Sequence, residues 1–487
     1  MTGARERADV ASFYHLRGAS FDDRTCAGTA CFVARFLDPD RWRAADRAPR
    51  VYCLGKCYAA PAAAADSRRP AVAVASPRPV VLERVADGGA RTLAEYTALG
   101  GYRALDRALG TAPAAVVAEV ERAGLRGRGG AGFPTGRKLA AVAAQPAAPK
   151  YVVMNADEGD PGAYVDRILL EDDPHAPLEG LAIAAYAVGA TKGWIYLRRE
   201  YPDALPILER AIADARAAGI LGPKLLGRGP AFDVEVVVGL GSYVCGEETA
   251  LLESIEGRRP FVRPRPPYPS AHGLHGRPTL VQNVETLANV PWIVAHGSAA
   301  YAAMGFSRSR GTKVVSLNSL FRRPGLYEVE LGTPLRRIVD DLGAGLSTGG
   351  VTGVIVGGPL AGVLPPSCFD APLAFDELAA LGASVGHGGV IAFDEHTSIR
   401  ALVHHVFAFG ADESCGRCTP CRLGTRAVAD MVAKRSPAAA WDAGRFEAIA
   451  SALHATSLCG HGTGLGEFAR SVLRHYREEL SACFASS

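Results

Sequence analysis

No apolar run in this chain of 487 residues is long enough to cross a bilayer. The longest, over residues 181–188, falls well short of the roughly 20 residues that a membrane helix needs. The opening MTGARERADV is polar and lacks the apolar stretch of a secretory signal, so a cytoplasmic protein is expected. An excess of charge of one sign is also missing. The 53 Lys and Arg face 50 Asp and Glu, a net +3, and no dense basic run alternates with aromatics, which disfavours a nucleic-acid partner. There is no convincing nucleophile–His–acid set and no internal repeat of fixed period. What remains is a globular composition, 48% apolar and 21% charged, on a chain too long for one core. Three or four domains are expected.

Cysteine is present in quantity, and in a pattern. Of 11 cysteines, four are Cys26, Cys31, Cys53 and Cys57, and four are Cys415, Cys418, Cys421 and Cys459; Cys245, Cys368 and Cys483 are left over. Clustered cysteines in an intracellular protein hold metal more often than they pair, so two metal centres are expected. Cys415-Gly-Arg-Cys418-Thr-Pro-Cys421 is a tight triplet that wraps one face of a cuboidal cluster, and the remote Cys459 completes a [4Fe–4S] set. Structural zinc is the rival, although zinc more usually takes two C-x-x-C pairs. The N-terminal four form two pairs on two loops, which suits a [2Fe–2S] rhomb with two ligands per iron. Zinc fits that spacing as well, and a cytoplasmic disulfide fits it poorly. Cys245 and Cys368 read as small buried hydrophobes.

Along the chain, an apolar segment at 13–16 precedes the first cysteines, and two β-like runs, 71–75 and 80–85, follow the second pair. Strand-like runs at 151–154, 194–197 and 234–238 then alternate with helical stretches such as 203–218, which argues for a largely parallel sheet. The Pro-rich 258–269 reads as an ordered loop. Short β-like runs at 313–317, 325–329, 354–356 and 390–393, with a helical piece at 334–342, fit a small α+β module. Helices are expected at 400–409, 422–434, 441–454 and 467–481.

Four segments carry nucleotide-binding chemistry. Residues 127–136, GRGGAGFPTG, pack five glycines among Arg126, Arg128, Arg137 and Lys138. Such a turn brings backbone N–H groups close to a phosphate that the basic residues neutralise. Asn155-Ala-Asp157-Glu158-Gly-Asp160 follows a strand, at the end where open α/β sheets bind ligands; an acidic surface turn is the plain alternative. GSYVCGEE, over 241–248, returns another strand into a helix, and Gln282 and Asn283 end a third, with amides suited to a flavin edge.

GLRGRGGAGFPTG, NADEGDPGAY, YVCGEETALLESIEGRRP, PTLVQNVETLANVP and ESCGRCTPCRLGT together resemble the family of NADH-binding flavoprotein subunits. That family includes the NADH-binding flavoprotein of respiratory complex I and the diaphorase subunits of NAD-linked hydrogenases and formate dehydrogenases. TCAGTAC and YCLGKCYAAP resemble its thioredoxin-like [2Fe–2S] domain, though only 21 residues separate Cys31 from Cys53, fewer than that family usually has.

The resemblance implies a multidomain α/β fold: a shortened thioredoxin-like domain over 1–88 and a Rossmann-like FMN/NADH domain over 89–309. A ubiquitin-like α+β domain over 310–398 and a helical bundle with the [4Fe–4S] cluster over 399–487 would follow. It places Gly127, Lys138, Asn155, Asp157, Gly246, Glu247 and Asn283 along FMN. Gly129, Gly130, Ala131, Phe133, Tyr243, Glu248 and Tyr268 would meet NAD(H). Arg128 and Glu158 join these sets, with Glu158 and Glu248 near the reacting centre. Arg265 stands for a usual Lys, Tyr268 for Phe, Asp160 for a Glu near the nicotinamide ribose, and Gln282 for Asn beside the flavin; Ala141 lacks a complex I aromatic.

The implied activity is an NADH:acceptor oxidoreductase (diaphorase). No catalytic residue is required, since the cofactors carry the chemistry. The implied partners are NADH and the other iron–sulfur and catalytic subunits of a multisubunit redox complex of formate dehydrogenase or hydrogenase type. The alternatives are the electron-input subunit of a complex I-type enzyme and, from another class, a non-catalytic zinc scaffold.

Overall fold

The computed structural model describes residues 14–16, 22–433 and 441–485. Four strands, Asp233–Val238, Ala190–Leu197, Lys150–Ala156 and Thr279–Asn283, lie in that spatial order and are all parallel. Their near-continuous apolar runs follow from burial on both faces. Val152, Met154, Ile195 and Leu197 point into the main core with the helices His175–Val188 and Val284–His296. Val153, Trp194, Tyr196 and Val281 take the opposite face, against Leu251 and Leu252 of the helix Glu248–Ile255. All four strands run the same way, so residues 155–160, 198–201, 239–248 and 283 gather at one rim.

A second, mixed sheet has the order Ala71–Val74, Gly325–Glu330, Thr312–Leu317, Gly389–Phe393, Gly353–Val356 and Val363–Leu364. Its first strand comes from the stretch expected to close the N-terminal unit, and it pairs in parallel with Gly325–Glu328. The β-like run at 80–85 is not a strand. The carboxylate of buried Glu328 accepts the N–H groups of Val80, Val81 and Leu82, and Glu83–Ala86 turns into a short helix. Among the described residues before Ala71 there is no strand, only the isolated bridges Thr25–Ala63 and Cys26–Val51 beside the helices Thr29–Val33 and Pro39–Ala44. Of the apolar segment 13–16, Phe13 lies outside the described residues; Tyr14 donates its hydroxyl hydrogen bond to the Arg258 carbonyl.

The helices Ile399–Asp412, Thr419–Val432, Ala443–Thr456 and Gly460–His475 pack on one another in sequence, with the first also against the last. Lys434, expected to end the second, lies outside the described residues. The expected helix at 467–481 is two helices, broken at Tyr476 (φ −136°, ψ 23°) before Arg477–Ala485. The expected helical piece at 334–342 is confined to Arg337–Leu342.

Candidate functional site

The rim of the parallel sheet brings the four expected segments together. Asn155 and Asn283 are register neighbours on adjacent strands. Asn155 donates from Nδ2 to the Gly246 carbonyl at 2.8 Å, and its Oδ1 accepts the Asp157 N–H at 3.1 Å. The glycine-rich loop lies against the same place: a Cβ on Gly129 would sit 2.7 Å from Asn283 Cβ. Gly130 (φ +118°) and Gly132 (φ +60°) take left-handed turns that only glycine adopts cheaply. Asn283 also caps the helix Val284–His296 by accepting the Thr286 N–H. Exposed Phe133 and Tyr268 mark the outer rim of the site.

Three buried polar atoms here have no hydrogen-bond partner: Asp157 Oδ2, Glu247 Oε1 and Gln282 Nε2. Buried polar groups are nearly always bonded, so three orphans beside a glycine cradle fit a polar ligand such as FMN. Glu247 places its other oxygen on the Thr249 and Ala250 N–H groups as an N-cap. Glu248 accepts from Lys138 Nζ at 2.5 Å and faces Arg265 at 3.4 Å. Burial works to raise its pKa, but the two cations prevail and hold the carboxyl below its ordinary value.

Two expected cofactor residues use their side chains elsewhere. The Arg128 guanidinium is fully buried, donating to Tyr301 Oη at 3.0 Å and to the Arg126 and Arg310 carbonyls. It anchors the loop from behind, and its backbone N–H is likewise taken, by Thr286 Oγ1 at 2.8 Å. Arg126 is likewise spent on the Gly132 carbonyl and on Asp376. The buried Glu158 carboxylate accepts the Asp166 and Arg167 N–H groups at the start of the helix Val165–Asp172, and the Tyr201 hydroxyl. Both of its oxygens are thus engaged, one on each of the two helix N–H groups.

Asp160 behaves differently, taking Tyr243 Oη on one oxygen and His387 Nδ1, at 2.7 Å, on the other. His387 carried no signal in the sequence; it comes from the mixed sheet, and no motif surrounds it.

The four C-terminal thiols line one cavity with Val244, Val262, Ser414, Arg417, Leu458 and His461. Cys418 and Cys459 are the N-cap residues of the helices Thr419–Val432 and Gly460–His475, with Pro420 in the first turn of the former and Gly416 (φ +78°) bending the loop. Two positive helix ends thus meet thiols that would carry negative charge as ligands. Burial pushes the Cys421 and Cys459 thiols up to about 12, so a soft cation is needed to keep them ionised. The cavity touches the sheet rim directly: Val244 in its wall belongs to the turn Tyr243–Gly246, whose Gly246 carbonyl accepts Asn155 Nδ2 and whose Tyr243 hydroxyl meets Asp160.

The N-terminal thiols are all buried and also converge. Cys53 and Cys57 Sγ lie 3.3 Å apart, and the N–H groups of Gly28, Gly55 and Ala62 donate to Cys26, Cys53 and Cys31 sulfurs, each at 3.3 Å. Hydrogen bonds from Cys26 and Cys57 hold the Cys53 thiol well below its ordinary value. Of the remaining cysteines, Cys245 is buried as expected, whereas Cys368 is only half-buried.

Comparison with known proteins agrees with this arrangement. Residues 120–292 match the Nuo51 FMN-binding domain, and residues 401–483 match the NADH-ubiquinone oxidoreductase-F iron–sulfur binding region. The F 2 subunit of NADH-quinone oxidoreductase from Rhizobium meliloti (strain 1021) is 43% identical over 409 residues, 83% of this chain and 97% of the relative. The HndC subunit of the NADP-reducing hydrogenase from Solidesulfovibrio fructosivorans is 41% identical over 392 residues, 80% of each. Among solved structures, a chain of an NAD+-reducing [NiFe]-hydrogenase in the H2-reduced state superposes with a TM-score of 0.82 at 32% identity, over 98% of this chain and 87% of that one. The chain belongs to the family of the F-type subunits of NADH-quinone oxidoreductase, NADH-oxidising flavoproteins that bind FMN and a [4Fe–4S] cluster.

Proposed function

We propose that this chain is the diaphorase subunit of a hydrogenase- or formate dehydrogenase-type complex, holding a [2Fe–2S] cluster at Cys26, Cys31, Cys53 and Cys57. The observation that carries the reading is the shared turn Tyr243–Gly246, which walls both the nucleotide cradle and the four-thiol cavity. FMN, when bound, supplies the exchange between a two-electron hydride and single electrons. The chain's own residues bind, orient and shield. Asn155, Asp157, Glu247, Gln282 and Asn283 offer the orphaned or rim-facing polar atoms for the flavin, and Lys138 holds Glu248 in place toward NADH. Cys415, Cys418, Cys421 and Cys459 take the [4Fe–4S] cluster.

In this reading the parallel sheet is the Rossmann-like domain, approximated by residues 89–309, the mixed sheet the ubiquitin-like domain, near 310–398, and the last helices the bundle, 399–487. The thioredoxin-like domain expected over 1–88 does not form a sheet of its own: among the described residues no strand precedes Ala71, and Ala71–Val74 joins the mixed sheet. The hydrogenase chain superposes over 98% of this one, which supports the hydrogenase-type partner. No helix among the described residues is long and apolar enough to cross a membrane; a cytoplasmic location accords with this reading.

The full chain isolated from its host is expected to carry FMN and about six irons, and to co-purify with a nickel- or molybdenum-containing subunit. Released FAD, zinc at the N-terminal thiols, or co-purification with quinone-reducing membrane subunits would contradict it. Glu248→Ala is expected to lower kcat/KM for NADH by roughly tenfold or more, the worth of one charged hydrogen bond, with FMN content unchanged. Loss of FMN with intact NADH turnover would show that Glu248 serves the flavin instead.

A further inference from the structure

We propose that His387 is a positioning residue for the nucleotide half of the site, delivered by the mixed sheet to fix Asp160 and Tyr243 beneath the glycine-rich loop. The proposal rests on the reading above that Asp160 and Tyr243 meet NADH. His387 sits in the turn 386–388, directly before the strand Gly389–Phe393. Gly386 (φ +51°) forms a β-bridge with Gly130 of the loop, and a Cβ there would lie 2.0 Å from the Gly357 carbonyl oxygen. At Gly388 (φ +84°) it would lie 2.3 Å from the Val314 carbonyl oxygen. The turn is therefore locked against both neighbours, and so is its imidazole. Asp160 receives Tyr243 Oη from the parallel-sheet side and His387 Nδ1 from the mixed-sheet side, leaving its carboxylate with one available orientation. The backbone of Gly130 runs directly above, since a Cβ on it would fall 3.9 Å from His387 Nδ1.

The charges around His387 explain its protonation. Asp160 is bonded to it, and Asp157, Glu158 and Asp166 come from the same strand end and the following helix. From the mixed sheet, Lys313 Nζ lies near Gly388, but Glu285 is paired with it. Tyr243 brings Glu413 and His461 on its far side. Burial works against the imidazolium, yet the Asp160 bond and the carboxylates raise the pKa to about 9. With the pKa raised, the clamp is charged throughout neutral pH and loses that charge, keeping only a neutral hydrogen bond, as pH rises through about 9.

The test uses full-length, FMN-loaded protein, following NADH-driven ferricyanide reduction from about pH 6 to about pH 10. Wild-type kcat/KM for NADH should fall by about threefold above about pH 9, to the level an uncharged donor supports, and His387→Ala should lose roughly tenfold at neutral pH and show no alkaline limb. His387→Asn, whose Nδ2 stands where Nδ1 stood, should recover to within about threefold, also without the limb. An alkaline limb unchanged in the Asn variant, or an Ala variant equal to wild type, would overturn the proposal. Should the Ala variant fail to fold, the pH profile of the Asn variant decides alone. Failure of NADH to bleach the wild-type flavin at all would instead overturn the parent reading and this proposal with it.

Discussion

Replacing Cys418 by Ser should separate the two halves of the reaction. Cys418 is the N-cap of the helix Thr419–Val432, and Ser is among the best N-cap residues, so the helix and its packing should survive. The lost quantity is a thiolate: a hard hydroxyl is a poorer iron ligand, and the cavity at Cys415, Cys421 and Cys459 is left one donor short. Transfer from NADH to the physiological partner should fall by more than about 100-fold, beyond the 10–100-fold typical when a ligand merely loses its hydrogen-bond support. Bleaching of the flavin by NADH and reduction of ferricyanide should persist, because hydride transfer needs the nucleotide cradle and none of the four thiolates. Cys53→Ser should remove a different paramagnetic signal and leave most transfer to the partner, if the N-terminal centre is a side store. EPR of both variants, with NADH-driven reduction of the partner, distinguishes them. Full activity in Cys418→Ser with none in Cys53→Ser would reverse the proposed route.

What the sequence made legible was local chemistry with a fixed spacing. The triplet Cys415, Cys418, Cys421, the glycine loop and the polar residues after each strand come together at or beside one rim, because each depends on neighbours a few positions away. What it concealed depends on partners far along the chain. Arg128 belongs to a basic, glycine-rich segment, yet its guanidinium turns inward because Tyr301, 173 positions later, offers an acceptor in a sealed space. Glu158 is engaged by two N–H groups of the helix that follows it. That helix, Val165–Asp172, buries all eight of its residues, so it has no exposed polar face to announce it. The run at 80–85 has strand-like composition, but Glu328 takes the amides that a strand would have used. His387 joins the site only once the mixed sheet has folded onto the parallel one.

That docking is also where the largest stability effect is expected, at Lys313. Its side chain is fully buried on the strand Thr312–Leu317, and its ammonium donates to Glu285 on the helix that Asn283 caps. Glu285 accepts the Val314 N–H on its other oxygen at 3.0 Å, and its own N–H donates to Asp166. Asp166 in turn accepts Asn283 Nδ2 at 2.6 Å. One line of polar bonds thus runs from the mixed sheet to the flavin edge of the site. Lys313→Met keeps the bulk and removes the cation, leaving a carboxylate buried without its partner, which costs about 3–5 kcal/mol. Lys192→Ala is the control, since Lys192 and Glu235 form an exposed pair worth about 0–1 kcal/mol. Adding Glu285→Gln to Lys313→Met should restore most of the loss, because a neutral amide oxygen still accepts the Val314 N–H. Urea midpoints of the four proteins would be compared, with flavin retention measured in each. A Lys313→Met midpoint no lower than that of Lys192→Ala would show that the buried pair does not hold the two sheets together. A lowered midpoint that the double variant fails to rescue would assign the loss to packing and not to the stranded charge.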